Sequence, residues 1–430
     1  MLRLVWVAVA AISTVGAIAG CASRERCRCA GGGMGTATAE SAAQVTARGT
    51  ISPDVTAVAS YESVERALGG TTLPSQYRAI DARQCQCLAA ANAVVANLLD
   101  EESALAARAP RRGRRGSAGA GAVQSDLLAF RAVEERNHAA GKALERFYQA
   151  AEAEGSRDLL RQMLEEIDRA IRNFEQLEAR GLRAEAEKGA LRRQKIEMLG
   201  RRAELELSIQ QLNGELRHLL GLDGQDFTPI WPVADLKVAV APVDKERAVT
   251  EGLASRADLG MLEMLSETLD RNTLPAARGG LGRIEMLLGA GAAGAQSPLG
   301  RLLDKSGQTE ELETRQRQVS DLLAKSRAGA VEEIRQAAYA VETRLRQVAL
   351  AKEARESWQK RLEQLRGRRD SDDVTAFDVS AAQIEVVRAE TQLLHEVVAW
   401  RIAEVKLLEA QGLLALECGY SLPDWRCGGE

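Results

Sequence analysis

Seven cysteines and three histidines are the residues of this chain best suited to covalent or metal chemistry. The cysteines are Cys21, Cys27, Cys29, Cys85, Cys87, Cys418 and Cys427. Setting Cys21 aside leaves an even number, which permits disulfides in an oxidising compartment. Cys418 and Cys427 bracket a turn-rich segment, and that short loop favours them as a pair. The two Cys-x-Cys pairs, Cys27/Cys29 and Cys85/Cys87, carry the sulfur ligands a soft metal takes. His138, His218 and His395 lie far along the chain from both pairs. Disulfides or free thiols are therefore expected there, with no metal and no cofactor. No glycine-rich phosphate loop and no nucleophile-base arrangement occurs, so the sequence speaks against an enzyme. Scattered carboxylates on helices read as solvated faces.

Cys21 is set apart by what precedes it. Residues 1–3 carry one positive charge, residues 4–17 are an almost unbroken apolar run, and Ile18-Ala19-Gly20-Cys21 follows. The run is shorter than the roughly 20 residues of a transmembrane helix, so it reads as a cleaved address. The order resembles the bacterial lipoprotein signal. That resemblance implies a lipidated, palmitate-bearing Cys21 as the first residue of the mature protein. Ala22 and Ser23 follow, and the lack of Asp there implies the outer membrane rather than the inner one. An ordinary secretory signal cleaved at a small residue is the simpler alternative.

Composition narrows the elements. Aromatic residues make up 3% of the 430 residues, and Ala, Leu, Glu and Arg dominate, as in long helices and coiled coils. The net charge of −4 gives no case for nucleic-acid binding. No proline occurs between Pro110 and Pro229, or between Pro298 and Pro423. Proline costs a helix interior roughly 3 kcal/mol, so two long helical regions are expected.

The periodicity divides the chain into two similar halves. Residues 1–20 form the signal and 21–59 a Gly/Ala/Ser/Thr tether. The first half, 60–242, opens with a short amphipathic helix at 60–68. Helices at 76–108, 125–179 and 183–220 follow, with a tight turn at Arg180-Gly181. Met198, Leu205, Ile209, Leu212, Leu216 and Leu219 form a coiled-coil seam on the last helix. The second half, 243–417, repeats the plan: a short helix at 243–254, one capped by Ser255 and running to about Asn272, a Gly-rich break, and long helices at 309–366 and 374–416. The seam Ile334, Ala338, Val341, Leu345, Val348 has the same step. Residues 418–430 form a tail. The class is all-α, built from long antiparallel coiled-coil helices given twice, and a duplication on this scale is a fold signature.

This duplicated plan behind a lipobox resembles the TolC family of outer-membrane efflux proteins. Leu253-Ala254-Ser255-Arg256-Ala257-Asp258-Leu259 resembles the family's opening of the second half, with Ala257 in place of proline. Thr375, Asp378, Val379, Ala382 and Gln383 match its spacing after the second hairpin turn. Leu216 to Leu222 resembles its glycine-terminated close of the first half. The resemblance implies three protomers forming a helical tunnel, and a passive conduit that works with a periplasmic adaptor and an inner-membrane pump. By position, Arg180-Gly181 and Arg366-Gly367, with Thr375 and Asp378, would be the turns that meet the adaptor.

One departure stands out. The family inserts two membrane strands in each half, and each strand needs about 9–11 alternating residues. Neither insertion point, 109–124 or 275–308, carries such a pattern. A protein without a barrel, held to the membrane by Cys21 alone, is the expectation. The alternative function is then a coiled-coil scaffold without a channel. The cluster Arg111, Arg112, Arg114 and Arg115 would lie at the membrane-proximal end, contacting anionic headgroups or serving as a solvated loop.

Overall fold

A computed structural model describes residues 77–108, 117–180, 185–222, 228–238, 242–284, 305–368 and 375–425. Cys21, Cys27, Cys29, Arg111, Arg112, Arg114, Arg115, Gly181 and Cys427 lie outside these residues, as do the tether and the helix expected at 60–68.

Two pairs of rods make the framework. Helix α3 (Ser117–Ala179) and α4 (Glu185–Leu219) form the first hairpin. Helix α8 (Lys305–Gly367) and α9 (Ala376–Gln411) form the second. At 1.5 Å per residue, α3 and α8 are each about 95 Å long. The rods lie in one layer in the order α4, α3, α9, α8, so the halves meet along the α3–α9 seam. The expected seam residues Met198, Ile209 and Leu216 are buried, as are Ile334, Ala338, Val341 and Val348. A 3.5-residue apolar repeat on alanine-rich rods needs no large rings to close-pack.

Shorter elements bind the rods away from the hairpin turns. Residues 76–108, expected as one helix, are instead strand β1 (Arg78–Asp81), helix α1 (Ala82–Ala91) and helix α2 (Val94–Arg108). The cause is local. Asp81 and Gln84 form a reciprocal capping box that starts α1. Asn92 ends it, donating its side-chain amide to Leu88 O and to Leu220 O. Strand β1 pairs in parallel with β2 (Ile230–Val233), Arg78 opposite Ile230. Among the described residues these are the only strands. Pro232 lies within β2, and Ile230 N donates to Asn213 Oδ1 at 2.6 Å.

The second half adds α5 (Lys245–Ser255), α6 (Ala257–Thr268) and α7 (Leu274–Ile284), then α10 (Leu413–Glu417) at the C-terminal end. Ser255, expected to cap α6, is the last residue of α5. Arg256 takes the cap position with no side-chain bond to the helix backbone. Its guanidinium instead bridges Asp258, Glu333 and Ala410 O, which ties α6 to both rods of the second hairpin.

The glycine-terminated close expected for the first half has a counterpart in the second, where Gly412 ends α9 at Gln411 instead of the expected 416. Gly221 and Gly412 adopt left-handed φ of 62° and 75°. Leu222 N then reaches Arg217 O at 3.0 Å and closes α4.

The disulfide differs from the expected one. Cys418 bonds Cys87, not Cys427, with the Cα atoms 5.2 Å apart. Helix α10 folds back onto α1, where Gln86 donates to Leu414 O and Glu417. Sequence nearness made Cys427 attractive, but tertiary packing places a residue 331 positions away within bonding reach. Cys85 remains a free, buried thiol whose pKa burial pushes up to about 12, a form inert as a nucleophile.

Candidate functional site at the hairpin tips

Both hairpin turns lie at one end of the molecule. The ring of Phe174, near the end of α3, sits 5.8 Å from the ring of Phe377, at the start of α9. Phe377 is exposed, Phe174 buried. No sequence pattern pairs the two rings, although Phe174 and Phe377 are two of only five phenylalanines in the chain.

Thr375 and Asp378, expected as contact residues, are first of all a helix start. Thr375 Oγ1 accepts from Asp378 N at 3.2 Å, and Thr375 N donates to Asp378 Oδ2 at 2.9 Å. The Thr375 hydroxyl also donates to Asp378 Oδ2 at 2.6 Å. These bonds hold the Asp378 carboxyl below the usual carboxylate range. The motif spacing is therefore explained by capping, while Thr375 itself stays exposed.

The other expected residues fall where the turns were placed. Arg366 and Gly367 end α8, both exposed, and Arg366 donates to Gln383 Oε1 at 2.6 Å. Arg180 forms an exposed turn after α3, its N–H on Leu177 O. The structure thus brings Arg366, Gly367, Thr375 and Asp378 together on one hairpin. It places Arg180 at the same end on the other.

The two tips differ in chemistry. Behind the first, ion pairs bridge α3 and α4: Lys188 with Glu178, Arg192 with Glu175 at 3.3 Å, and Lys195 with Asp168 at 2.5 Å. Behind the second, Leu362, Leu365, Ala382 and Val386 form a dry cluster. The first tip thus adds ion pairs, which salt screens, to the buried packing of Phe174 and Leu191, while the second relies on apolar packing and a cap. Among the described residues no group of three or more metal-ligating side chains occurs, and no helix is long and apolar enough to cross a membrane.

Comparison with solved structures decides the architecture. The Campylobacter jejuni CmeC outer membrane channel aligns over 80% of this chain and 87% of its own, with a TM-score of 0.58 at 14% identity. The open-state Neisseria gonorrhoeae MtrE outer membrane channel aligns over 77% and 88%, at 0.55 and 12% identity. The CusC structure, described with transmembrane channel formation, aligns over 77% and 91%, at 0.55 and 13% identity. The fold is that of a TolC-type protomer. No protein-family model and no curated protein matches the chain. At 12–14% identity the likeness lies in the fold, in helix lengths, stops and seams rather than in identical residues. What this TolC-type chain lacks, among the described residues, is any membrane strand. Helix α2 ends at Arg108 and α3 begins at Ser117, which leaves residues 109–116 for the whole first-half connection.

Proposed function

We propose that the chain is one protomer of a TolC-type helical conduit. It stands in the periplasm, tethered to the outer membrane through lipidated Cys21, and acts with an adaptor and an inner-membrane pump. Its role is passive, with no catalytic step. Assembly as a homotrimer would present Arg180, Gly181, Arg366 and Gly367 to the adaptor at the periplasmic tip. The four arginines from Arg111 to Arg115 would face the headgroups at the other end.

One observation carries this reading: the rods form an open layer whose two edge helices expose large apolar side chains. Ile196, Leu199 and Leu207 are exposed on α4, and Tyr339, Leu350 and Trp358 on α8. An edge rod with such a stripe is half of a helix-helix seam. Joining α4 of one copy to α8 of the next is a head-to-tail contact, which closes into a ring when the rotation allows.

A second reading has its own support. Residues 109–116 number eight, fewer than the 9–11 or so needed for even one spanning strand. In the other half, residues 285–304 include seven consecutive glycines and alanines, Gly289 to Ala295. Without a barrel the rods serve as a lipid-anchored scaffold, or as a tube that another protein completes.

Electron microscopy of the purified lipoprotein separates the readings. A closed ring of three copies with a central lumen is expected. Monomers or dimers with no lumen would leave the scaffold and remove the conduit.

A further inference from the structure

Two of the chain's three histidines sit on the seam between its halves, and they sit reciprocally. His138 Nδ1 of α3 lies 2.9 Å from Glu409 Oε1 of α9. His395 Nδ1 of α9 lies 2.7 Å from Glu152 Oε1 of α3. The partners are fourteen residues apart on α3 (138 to 152) and fourteen apart on α9 (395 to 409). That interval is two heptads, so both bridges lie on the same face of the antiparallel pair.

The backbones are shaped for the contact. Gly141 and Gly155 lie three residues beyond His138 and Glu152. A Cβ on Gly141 would meet the Glu409 carboxyl at 2.6 Å, and one on Gly155 would meet Leu394 at 2.7 Å. The seam therefore repeats a short cassette, a bridge residue followed three later by glycine, at two levels.

We propose that the α3–α9 seam is a proton-tuned clasp, in which two reciprocal histidine–glutamate bridges hold the halves in register and the His138–Glu409 bridge loosens when its imidazole gives up its proton. The imidazoles are accessible to protons, with side chains 59% and 54% exposed. Neighbouring charges leave the bridges to each other. Facing His138 are Glu134 and Glu135 on α3, both paired with Arg131. From α6 and α8 come Arg256, paired with Asp258 and Glu333, and Arg344, paired with Glu396. From α9 comes Lys406, near Glu145 at 4.0 Å. Beside Glu152, Arg146 is taken by Glu215 of α4 at 2.7 Å. The bond to Glu409 raises the His138 pKa above its usual value. Apolar packing and the Lys406–Glu145 pair cross the seam whichever form the imidazoles take, and buried Asn137 adds a fixed anchor, donating to Glu409 O and accepting from Leu414 N. It pins α9 at the end away from the tips, so relaxation grows toward them.

The proposal concerns one copy and stands whether or not the copies form a conduit. Its test is hydrogen exchange of the full-length protein at about pH 5.5 and about pH 8.5, either side of the ordinary histidine pKa, corrected for intrinsic rates. Exposed or half-exposed bridges are individually weak, so amide protection around residues 138–155 and 394–409 should fall about two- to tenfold at the higher pH. The double variant H138Q/H395Q should show the high-pH behaviour at both values. The swapped variant H138E/E409H/E152H/H395E keeps both pairs and should keep the slope, even where the glutamine variant folds poorly. A flat wild-type profile, or a slope that survives in H138Q/H395Q, overturns the clasp.

Discussion

Glu154 on α3 is the clearest case of a residue whose chemistry is set by its neighbours. Its side chain is 3% exposed and paired with Arg157. Burial pushes its pKa from the usual 4.5 up to about 7, with Arg157 pulling the other way. The folded chain thus keeps a proton that the unfolded chain loses between about pH 4.5 and 7. Stability should fall as pH rises through that window and level off above it. In Glu154→Gln the slope is removed. Unfolding free energies from denaturant titration at the two ends of the window should then differ by about 2–3 kcal/mol less than in wild type. An equal slope in both proteins would show that Glu154 is ionised throughout. Asp378 has the opposite sign: its lowered pKa supports the α9 cap above about pH 4, its unfolded value, and the support is lost on further acidification. The sequence showed the Thr375–Asp378 spacing, and the capping box is its local consequence. It gave no sign of Glu154, because burial of a carboxylate depends on which rods close around it.

At the scale of elements, helix stops were the most legible feature, since glycine and proline act through the backbone of their own few residues. Gly221 ended its helix as its position implied, and Gly412 ended α9 five residues before the expected 416. Gly412 does more than close α9. A Cβ there would meet Ser255 O at 3.0 Å and Arg256 Cα at 3.2 Å, because the α5–α6 junction presses on the turn. Gly412→Ala should therefore destabilise by about 1–2 kcal/mol for the left-handed φ alone, with the close approach adding to it. Gly329 on α8 is the control, with nothing within 4 Å of its would-be Cβ. Gly329→Ala should stabilise by about 0.5–1 kcal/mol through helix propensity. Thermal unfolding of the two variants checks both signs, and equal effects would deny the close approach. The expected helix at 76–108 failed for a related reason. Its break at Asn92 caps another helix, α4, through Leu220 O, and no reading of 76–108 alone contains that partner.

The whole molecule is held shut by the bond between Cys87 and Cys418, which joins elements near the two ends of the described chain. Closing a loop of 331 residues removes much freedom from the unfolded chain. In the chain-entropy account that is worth about 6 kcal/mol. Cys87→Ser should lower the unfolding free energy by several kcal/mol, up to about that figure. A non-reducing peptide map should link the Cys87 and Cys418 peptides while Cys85 resists alkylation until the chain unfolds. A Cys418–Cys427 peptide would contradict the fold at its centre.

The amino-acid sequence by itself determined the rods. The 3.5-residue apolar repeat, proline-free tracts, terminal glycines and the internal duplication act within a few turns of the chain, so they can be read along it. They gave the all-α class, the hairpins and the positions of Arg366, Gly367, Thr375 and Asp378. Tertiary structure alone decided which rods touch. The order α4, α3, α9, α8, the Phe174–Phe377 contact, the histidine bridges and the disulfide partner all join residues more than two hundred positions apart or belong to that order. Such pairings depend on how alanine-rich surfaces with nearly identical repeats fit against one another. Periodicity marks a buried face and leaves its partner unspecified until the packed layer selects one.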